Sequence, residues 1–561
     1  MDRSQLFVSD PNLRRILKKH LDNDMFQYAE KQLQDFWHLC QNEFDERAIH
    51  TDREGQPKLI KYDAYGNDCS YVWLNEGYKQ TIQQTYGAGI VGYVHKRIPE
   101  LDCRGNYIYS YAQGYLLSQV EPGFYCPVTL TMATAYLLEH YADEALKEKY
   151  LPHVLSTGEV ELYEGATFLT ERQGGSDVGA NETKAIKEGD RYKLYGEKYF
   201  ASNAGACGVA TVLARIEGAE RGTKGLSLFL VPWKKEDGTL NHLSIRRLKD
   251  KLGVRAVPSA EVVLEGATAY LIGDASKGFY YMMEALNLSR VCNAIASVGI
   301  MKRAYDEARS YANKRNAFGK KLTDYPMIQE TLVELAVKQE VQVSACFELI
   351  SLFDRVMTRP DESSKEDKAL NRLLIALLKM RTAEDAIHFS HEAIEMHGGN
   401  GYIEDFVTPR LLRDAQVLTV WEGTANTLGL EVLRLLHKFN VHALFTKHIQ
   451  SLLNSLSSKW GSEIQQIMNE MTKVAALVAH VSKQNNEIQT YYAKKVANQM
   501  CDVYLCTIAL CNADSGGERE KAIAKLFMRL TWGHSLIDDD LLPLTYFKEI
   551  VLQEKNSLSR T

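Results

Sequence analysis

The run Glu395-Met396-His397-Gly398-Gly399-Asn400-Gly401-Tyr402 leads into Thr408-Pro409-Arg410-Leu411-Leu412-Arg413-Asp414 and then into Val420-Trp421-Glu422-Gly423-Thr424-Ala425-Asn426. A glycine cluster lets a backbone approach a bulky ligand closely, because no Cβ intervenes. One carboxylate, Glu422, stands between Trp421 and Gly423, just ahead of an apolar helical pattern running to about Leu436. A carboxylate beside an indole is partly desolvated, which makes its ionised form a stronger base. The same residues also read as a turn and a helix start, where a glutamate in the first turn complements the helix dipole.

The spacing carries a resemblance. His397-Gly398-Gly399-Asn400-Gly401-Tyr402, Arg413-Asp414 and Trp421-Glu422-Gly423-Thr424 are similar to the C-terminal signature of the acyl-CoA dehydrogenase family. The resemblance implies that Glu422 removes the α-proton of an acyl-CoA thioester while FAD takes the β-hydride. It also implies cofactor contacts from Gly398, Gly399, Thr424 and Asn426, and substrate contacts from Glu422 and Gly423.

A chain of 561 residues has room for several domains with ample core. Its hydrophobic content of 45% and charged content of 25% are those of an ordinary globular protein. A net charge of −6 argues against a generally nucleic-acid-binding surface. The ten cysteines are scattered without a Cys-x-x-Cys. Cys501, Cys506 and Cys511 recur in an apolar helical pattern without a companion histidine, so burial rather than metal binding is expected, and no metal. That usage fits a reducing compartment. Met1-Asp2-Arg3-Ser4 opens neither an apolar signal core nor an Arg/Ser-rich transit pattern. No apolar run is long enough to span a bilayer, so a cytoplasmic location and no membrane partner are expected.

Residues 1–160 read as a helical domain, with helical spacing from Asn12 to His20, Asp24 to Glu43 and Asn75 to Val94. The stretch from Lys58 to Asn67 breaks this pattern as an extended or irregular excursion. Phe124-Tyr125-Cys126-Pro127 is expected to open a further helix, with Pro127 near its first turn. The run Cys126-Pro127-Val128-Thr129-Leu130-Thr131 resembles the corresponding stretch of the AidB-like branch of the family.

From 161 to 272 the pattern turns to short β-rich runs. Glu188-Gly189-Asp190 marks a hairpin between Ala185-Ile186 and Arg191–Leu194; Val209–Ile216, Leu226–Val231 and Glu261–Leu264 follow. A barrel or sandwich is expected. Within it lies Thr170-Glu171-Arg172-Gln173-Gly174-Gly175-Ser176-Asp177. Its amides and hydroxyls suit either a surface turn or the polar edge of a flavin. The segment resembles the family's flavin loop, and Lys198-Tyr199-Phe200-Ala201-Ser202-Asn203 resembles the segment that follows it. The match implies flavin contacts from Thr170 and Ser176, with Ser176 also near substrate. It implies that Phe200 stacks on the isoalloxazine where Trp is usual, and that Ser202 offers a hydroxyl near N5.

Helices return from 273 to 440 and read as a four-helix bundle: Gly278 to Asn316, Met327 to Met357, Lys368 to Met396 and the apolar run after Glu422. Arg315 is either a solvated arginine or a pyrophosphate clamp. Arg315-Asn316-Ala317-Phe318-Gly319 resembles the family motif in which the arginine reaches the FAD of a neighbouring subunit, with Phe318 beside it, which implies a homotetramer built as a dimer of dimers. Pro326 departs from the usual Gln of that motif. Ser289 stands where some members place their base, leaving Glu422 as the one candidate offered by the motifs. Arg290 either helps hold the substrate region or makes an ion pair in the bundle.

Residues 441–561 form an additional helical extension, broken at Asp514-Ser515-Gly516-Gly517-Glu518 and nearly balanced in basic and acidic residues. Lys521, Lys525 and Arg529 share a helical face, but such a balance does not suit phosphate tracking, and no nucleic-acid partner is expected. The whole reading is an α+β, mainly α, FAD-dependent oxidoreductase of fatty acid metabolism. It converts a fatty acyl-CoA to trans-2-enoyl-CoA, with an electron-transfer flavoprotein or oxygen as acceptor. The alternative is an AidB-type, flavin-containing acyl-CoA-binding or stress-response protein with little turnover, associated or not with nucleic acid.

Overall fold

Between Gly165 and Leu271 short β-rich runs close on themselves. In a computed structural model of the protein, which describes residues 5–533 and 540–553, strand Ser259–Leu271 pairs antiparallel with Arg191–Ser202, and that strand with Lys184–Glu188. Lys184–Glu188 pairs in parallel with the end of Val209–Ile216. Val209–Ile216 pairs antiparallel with Leu226–Pro232, which returns to Ser259–Leu271 through Tyr270↔Leu230 and Leu271↔Phe229. The ring is therefore a small barrel, and closure removes the exposed strand edges that an open sheet must protect. Leu243–Leu248 and Gly165–Phe168 pair onto it from outside the ring. Phe168, Leu194, Val212, Phe229, Ile245 and Val262 fill the interior. Leu194 and Ile245 have less buried neighbours on both sides, the period-two pattern of a strand, whereas Val212 and Phe229 lie in strands buried on both faces.

The chain divides into two units, Met1–Ser9 with Leu21–Cys292 and Asp10–His20 with Asn293–Thr561, a division that falls within the helix Gly278–Lys314. Met1-Asp2-Arg3-Ser4 and parts of the 441–561 extension lie outside the described residues.

The first unit holds the barrel and a set of helices ahead of it. Every residue of Tyr107–Leu117 is buried, as expected of a helix apolar on all sides. The excursion at Lys58 is an antiparallel hairpin, Lys58–Tyr62 with Asp68–Trp73. The next helix starts earlier than expected. It spans Pro122–Tyr141, with Pro122 at its first turn and the Glu121 carboxylate accepting from the Gly123 amide. A proline costs nothing where the amide has no helical partner, which is why Pro122 is the true start. Pro127 lies inside this helix, and the Thr131 hydroxyl donates to its carbonyl at 2.8 Å.

In the second unit, helices Pro326–Thr358, Lys365–His397 and Ala425–Phe439 pack together. Pro326 takes the first helical turn after Tyr325, so the departure from the usual Gln is absorbed as a helix start. The extension adds Val441–Asn454, Gly461–Val481, Asn486–Ser515 and Glu518–Trp532. It is bonded to the bundle by Arg381–Asp502 at 2.8 Å and by Arg519–Glu340. Cys501 and Cys506 are buried free thiols, and no metal-ligand cluster occurs among the described residues. No described helix is long and apolar enough to cross a membrane.

Candidate functional site

The residues singled out in the sequence fall into two groups, one on each unit. In the barrel, the loop after Phe168 is tied to the strand Arg191–Ser202 by the Tyr199 amide, which donates to the Thr170 carbonyl at 2.9 Å. Beneath it, Lys198 is 0% exposed, and its ammonium donates to Glu171 Oε1 at 2.7 Å and to the Leu213 carbonyl at 2.9 Å. Glu171 also accepts from the Glu182 amide at 2.6 Å and the Thr183 amide at 3.2 Å. Burial pushes its carboxyl up, but Lys198, Thr183 and the Glu182 amide together hold it below the ordinary value. Burial likewise pulls the Lys198 ammonium down against the pull of Glu171. This buried pair fixes both ends of the loop.

With its stem fixed, the loop turns its backbone outward. Gly174 has φ +118°, and a Cβ there would meet nothing within 4 Å. At Gly175 a Cβ would lie 2.6 Å from Thr170 Oγ1, so the threonine hydroxyl needs a glycine beside it. Ser176 is exposed. Phe200 is 55% exposed, edge-on to Tyr199 with ring centroids 5.2 Å apart. Ser202 lies 3.3 Å from the Ser259 hydroxyl. Arg290, on the long helix, is buried with its guanidinium 3.1 Å from Asn287 Oδ1.

The second group is in the bundle unit. Helix Lys365–His397 ends in a 3-10 turn, Gly398–Tyr402, that begins with Gly398 at φ +59°. A Cβ on Gly398 or Gly399 would meet nothing within 4 Å, whereas one on Gly401 would lie 2.5 Å from the Ile394 carbonyl. Gly401 thus serves packing, and Gly398 and Gly399 leave an open backbone face. His397 braces the turn: its Nδ1–H donates to the Ala393 carbonyl at 2.7 Å, and its ring lies 4.2 Å from that of Tyr311. Burial holds its imidazole below the usual range, opposed by the Ala393 bond. Asn400 donates to the Tyr311 hydroxyl at 3.1 Å.

Helix Thr408–Leu418 follows, then a short strap, then Ala425–Phe439. Thr424 is the N-cap of the last helix. Glu422 therefore stands ahead of the cap, not in the first turn, and the helix-dipole reading of this glutamate is not what the structure shows. It has φ +59° and is followed by Gly423 at φ +105°. A left-handed backbone is uncommon for a residue with a side chain, and such outliers cluster at functional sites. Asn426 is exposed in the first turn. Arg315 and Phe318 sit on a tight hairpin, Asn316–Ala317 with Lys320–Lys321; Arg315 is exposed, and Phe318 is 98% exposed at φ +49°.

Two residues escaped the sequence reading. Lys379 is 1% exposed and donates to the Gly423 carbonyl at 2.7 Å; Asn293 is buried and donates to the Leu418 carbonyl at 3.2 Å. The available signal was a lysine between Ile375, Ala376 and Thr382, Ala383, at a position whose helical neighbours are all core.

Helices, a closed barrel with its glycine loop, and a helical bundle with its glutamate strap follow in that order, and the proteins this chain resembles are named dehydrogenases and reductases, which are oxidoreductases acting on CH–CH groups. Three family models match successive parts of the chain: the AidB adaptive response protein N-terminal domain at 1–158, the acyl-CoA dehydrogenase middle domain at 166–267 and its C-terminal domain at 276–436. Acyl-CoA dehydrogenase family member 11 of Caenorhabditis elegans is 30% identical over 550 residues, 95% of this chain and 88% of that protein. The AidB protein of Escherichia coli (strain K12) is 32% identical over 392 residues, 68% of this chain and 69% of its own. The crystal structure of C. elegans ACDH-11 in complex with C11-CoA has a TM-score of 0.87 at 28% identity, covering 98% of this chain and 95% of that one. The chain belongs to the acyl-CoA dehydrogenase family, with an N-terminal domain of AidB type.

Proposed function

We propose that the protein dehydrogenates a fatty acyl-CoA to its trans-2-enoyl-CoA with Glu422 as the base. The observation that carries this is the left-handed Glu422-Gly423 pair ahead of the Thr424 cap, in a chain of this family. Such a backbone sets the glutamate ahead of the helix instead of in its first turn. The Glu422 amide would then polarise the thioester carbonyl, which lowers the cost of negative charge developing there, while the carboxylate takes the α-proton. Gly423, Ser176 and Arg290 would contact substrate.

FAD is the cofactor this reading requires, and the residues present fit it. Gly174, Gly398 and Gly399 leave open backbone faces, Thr170, Ser176 and Ser202 supply hydroxyls, and Phe200 presents an exposed ring. When bound, FAD would accept the β-hydride. Thr424 and Asn426 complete its proposed contacts, and the exposed Arg315 and Phe318 would reach the cofactor of another copy in a homotetramer. An electron-transfer flavoprotein is the proposed acceptor. The four-part division at 160, 272 and 440 is the proposed domain plan, and the cytoplasm the proposed location.

A second reading is a flavin-containing acyl-CoA-binding protein with little turnover. The AidB-type N-terminal domain supports it. Its nucleic-acid variant finds little support in the extension, where Lys459 pairs with Asp514, Lys473 with Glu470, Lys494 with Glu384, Arg519 with Glu340 and Lys521 with Glu518.

An anaerobic titration of the FAD-loaded protein with acyl-CoAs of graded length separates the two readings. Bleaching of the oxidised flavin band is expected for some chain length. Spectral shifts without bleaching at every length would move the assignment to the binding protein.

A further inference from the structure

We propose that Lys379 is a positioning residue for Glu422, held in place from behind by the extension helix Asn486–Ser515. The inference rests on Glu422 being the base. The strap between helices Thr408–Leu418 and Ala425–Phe439 is pinned at both ends by buried side chains: Asn293 Nδ2 holds the Leu418 carbonyl and Lys379 Nζ the Gly423 carbonyl. Between the pins lie the two consecutive left-handed residues, Glu422 and Gly423. Such a backbone persists only when its surroundings over-determine it. The Lys379 bond is the shorter of the two, 2.7 Å against 3.2 Å for Asn293, so Lys379 is the tighter pin.

Lys379 can act this way only if its own helix does not yield, and the extension supplies that resistance. Leu377 and Arg381, four residues apart, share one face of helix Lys365–His397. The Leu377 carbonyl accepts from Cys501 Sγ at 3.7 Å, and Arg381 pairs with Asp502 at 2.8 Å, both on the extension helix. Lys379 lies between them in sequence and on the opposite face, since two residues turn a helix through about 200°. The helix carrying the strap's far end abuts the same extension helix: a Cβ on Gly429 would lie 3.1 Å from the Lys494 amide nitrogen. One extension helix thus backs both the lysine and the segment that follows the base.

Two variants test this against Glu422→Gln run in parallel. Lys379→Met keeps the apolar stem and deletes the donor. Gly429→Ala forces the extension helix outward by a few tenths of an ångström and leaves every polar group in place. For Lys379→Met, the flavin reduction rate at saturating acyl-CoA should fall about 100-fold, the scale of a small misplacement of a reacting group, with acyl-CoA affinity within about threefold of wild type. Gly429→Ala should show the same split at about three- to tenfold. In both, without cofactor, amide hydrogen exchange should quicken across residues 418–424 and stay unchanged in the barrel. Native reduction with native exchange in Lys379→Met overturns the proposal. So does equal loss of protection throughout the bundle, or failure of both variants to fold, because the lysine would then serve the fold at large. Undiminished reduction in Glu422→Gln would instead remove the base assignment, whatever the lysine variant does.

Discussion

The barrel loop at Thr170–Ser176 and the bundle strap at Leu418–Thr424 solve one problem in two ways. Each turns backbone outward, and each is anchored from beneath by a buried lysine. Lys198 meets a carboxylate, Glu171, inside a closed ring of strands, whereas Lys379 meets a peptide carbonyl on a short connection between helices. Breaking a buried ion pair strands a charge, so the first anchor belongs to the stability of the barrel. Lys379 holds the strap that carries Glu422, so the second belongs to the placement of that side chain. A buried lysine thus serves the fold or the chemistry according to what it holds.

The largest effect tests the strap at its working end. Glu422→Gln should bind FAD and acyl-CoA normally and lose flavin reduction by about 10³- to 10⁴-fold, read by anaerobic stopped flow. Next comes the barrel anchor. Lys198→Met should cost about 3–5 kcal/mol in denaturant unfolding, because Glu171 is left buried and uncompensated. Intact stability with weakened flavin binding would break the comparison, since both lysines would then serve the site.

A smaller effect comes from Glu164, next to the strand Gly165–Phe168 that pairs onto the barrel. Burial pushes its carboxyl up to about 7 from 4.5, against the bonds from Tyr86 and Asn203. Between those values the folded chain keeps a proton that the unfolded chain has released. Stability from this group therefore falls as pH rises from about 4.5 to about 7 and is level above it. Glu164→Gln should flatten that fall and gain about 3 kcal/mol over wild type at pH 8, read from unfolding curves across pH. An unchanged pH slope would show that the carboxyl titrates normally in the fold. Smallest of all, Phe200→Trp should leave stability unchanged and tighten FAD retention by roughly threefold, measured by dialysis, because only an exposed aromatic face is enlarged.

The motifs were legible because each depends on neighbours along the chain. Gly174 and Gly398 need left-handed φ, and Glu422 sits beside the glycine that shares its strain. Element types were legible for the same reason, and most boundaries lay within a few residues. Pro127 misled because two prolines compete for one helix start, and only the backbone shows that Pro122 takes it. The anchors were not legible. Lys198 and Glu171 were in view as letters of a motif, but their pairing depends on the strand Val209–Ile216, whose Leu213 carbonyl takes a second ammonium proton. Lys379 looked like one more lysine in a helix until its partner, 44 residues on, came within 2.7 Å.

By itself, then, the sequence determined the order of helices, strands and helices and the motifs from which a site is proposed, because periodicity and residue type act locally. Tertiary structure alone decided that the strands close into a ring, that the extension backs the bundle, and which charges are buried. Those outcomes depend on contacts between residues far apart in the chain, where burial, not identity, sets what a lysine or a glutamate can do.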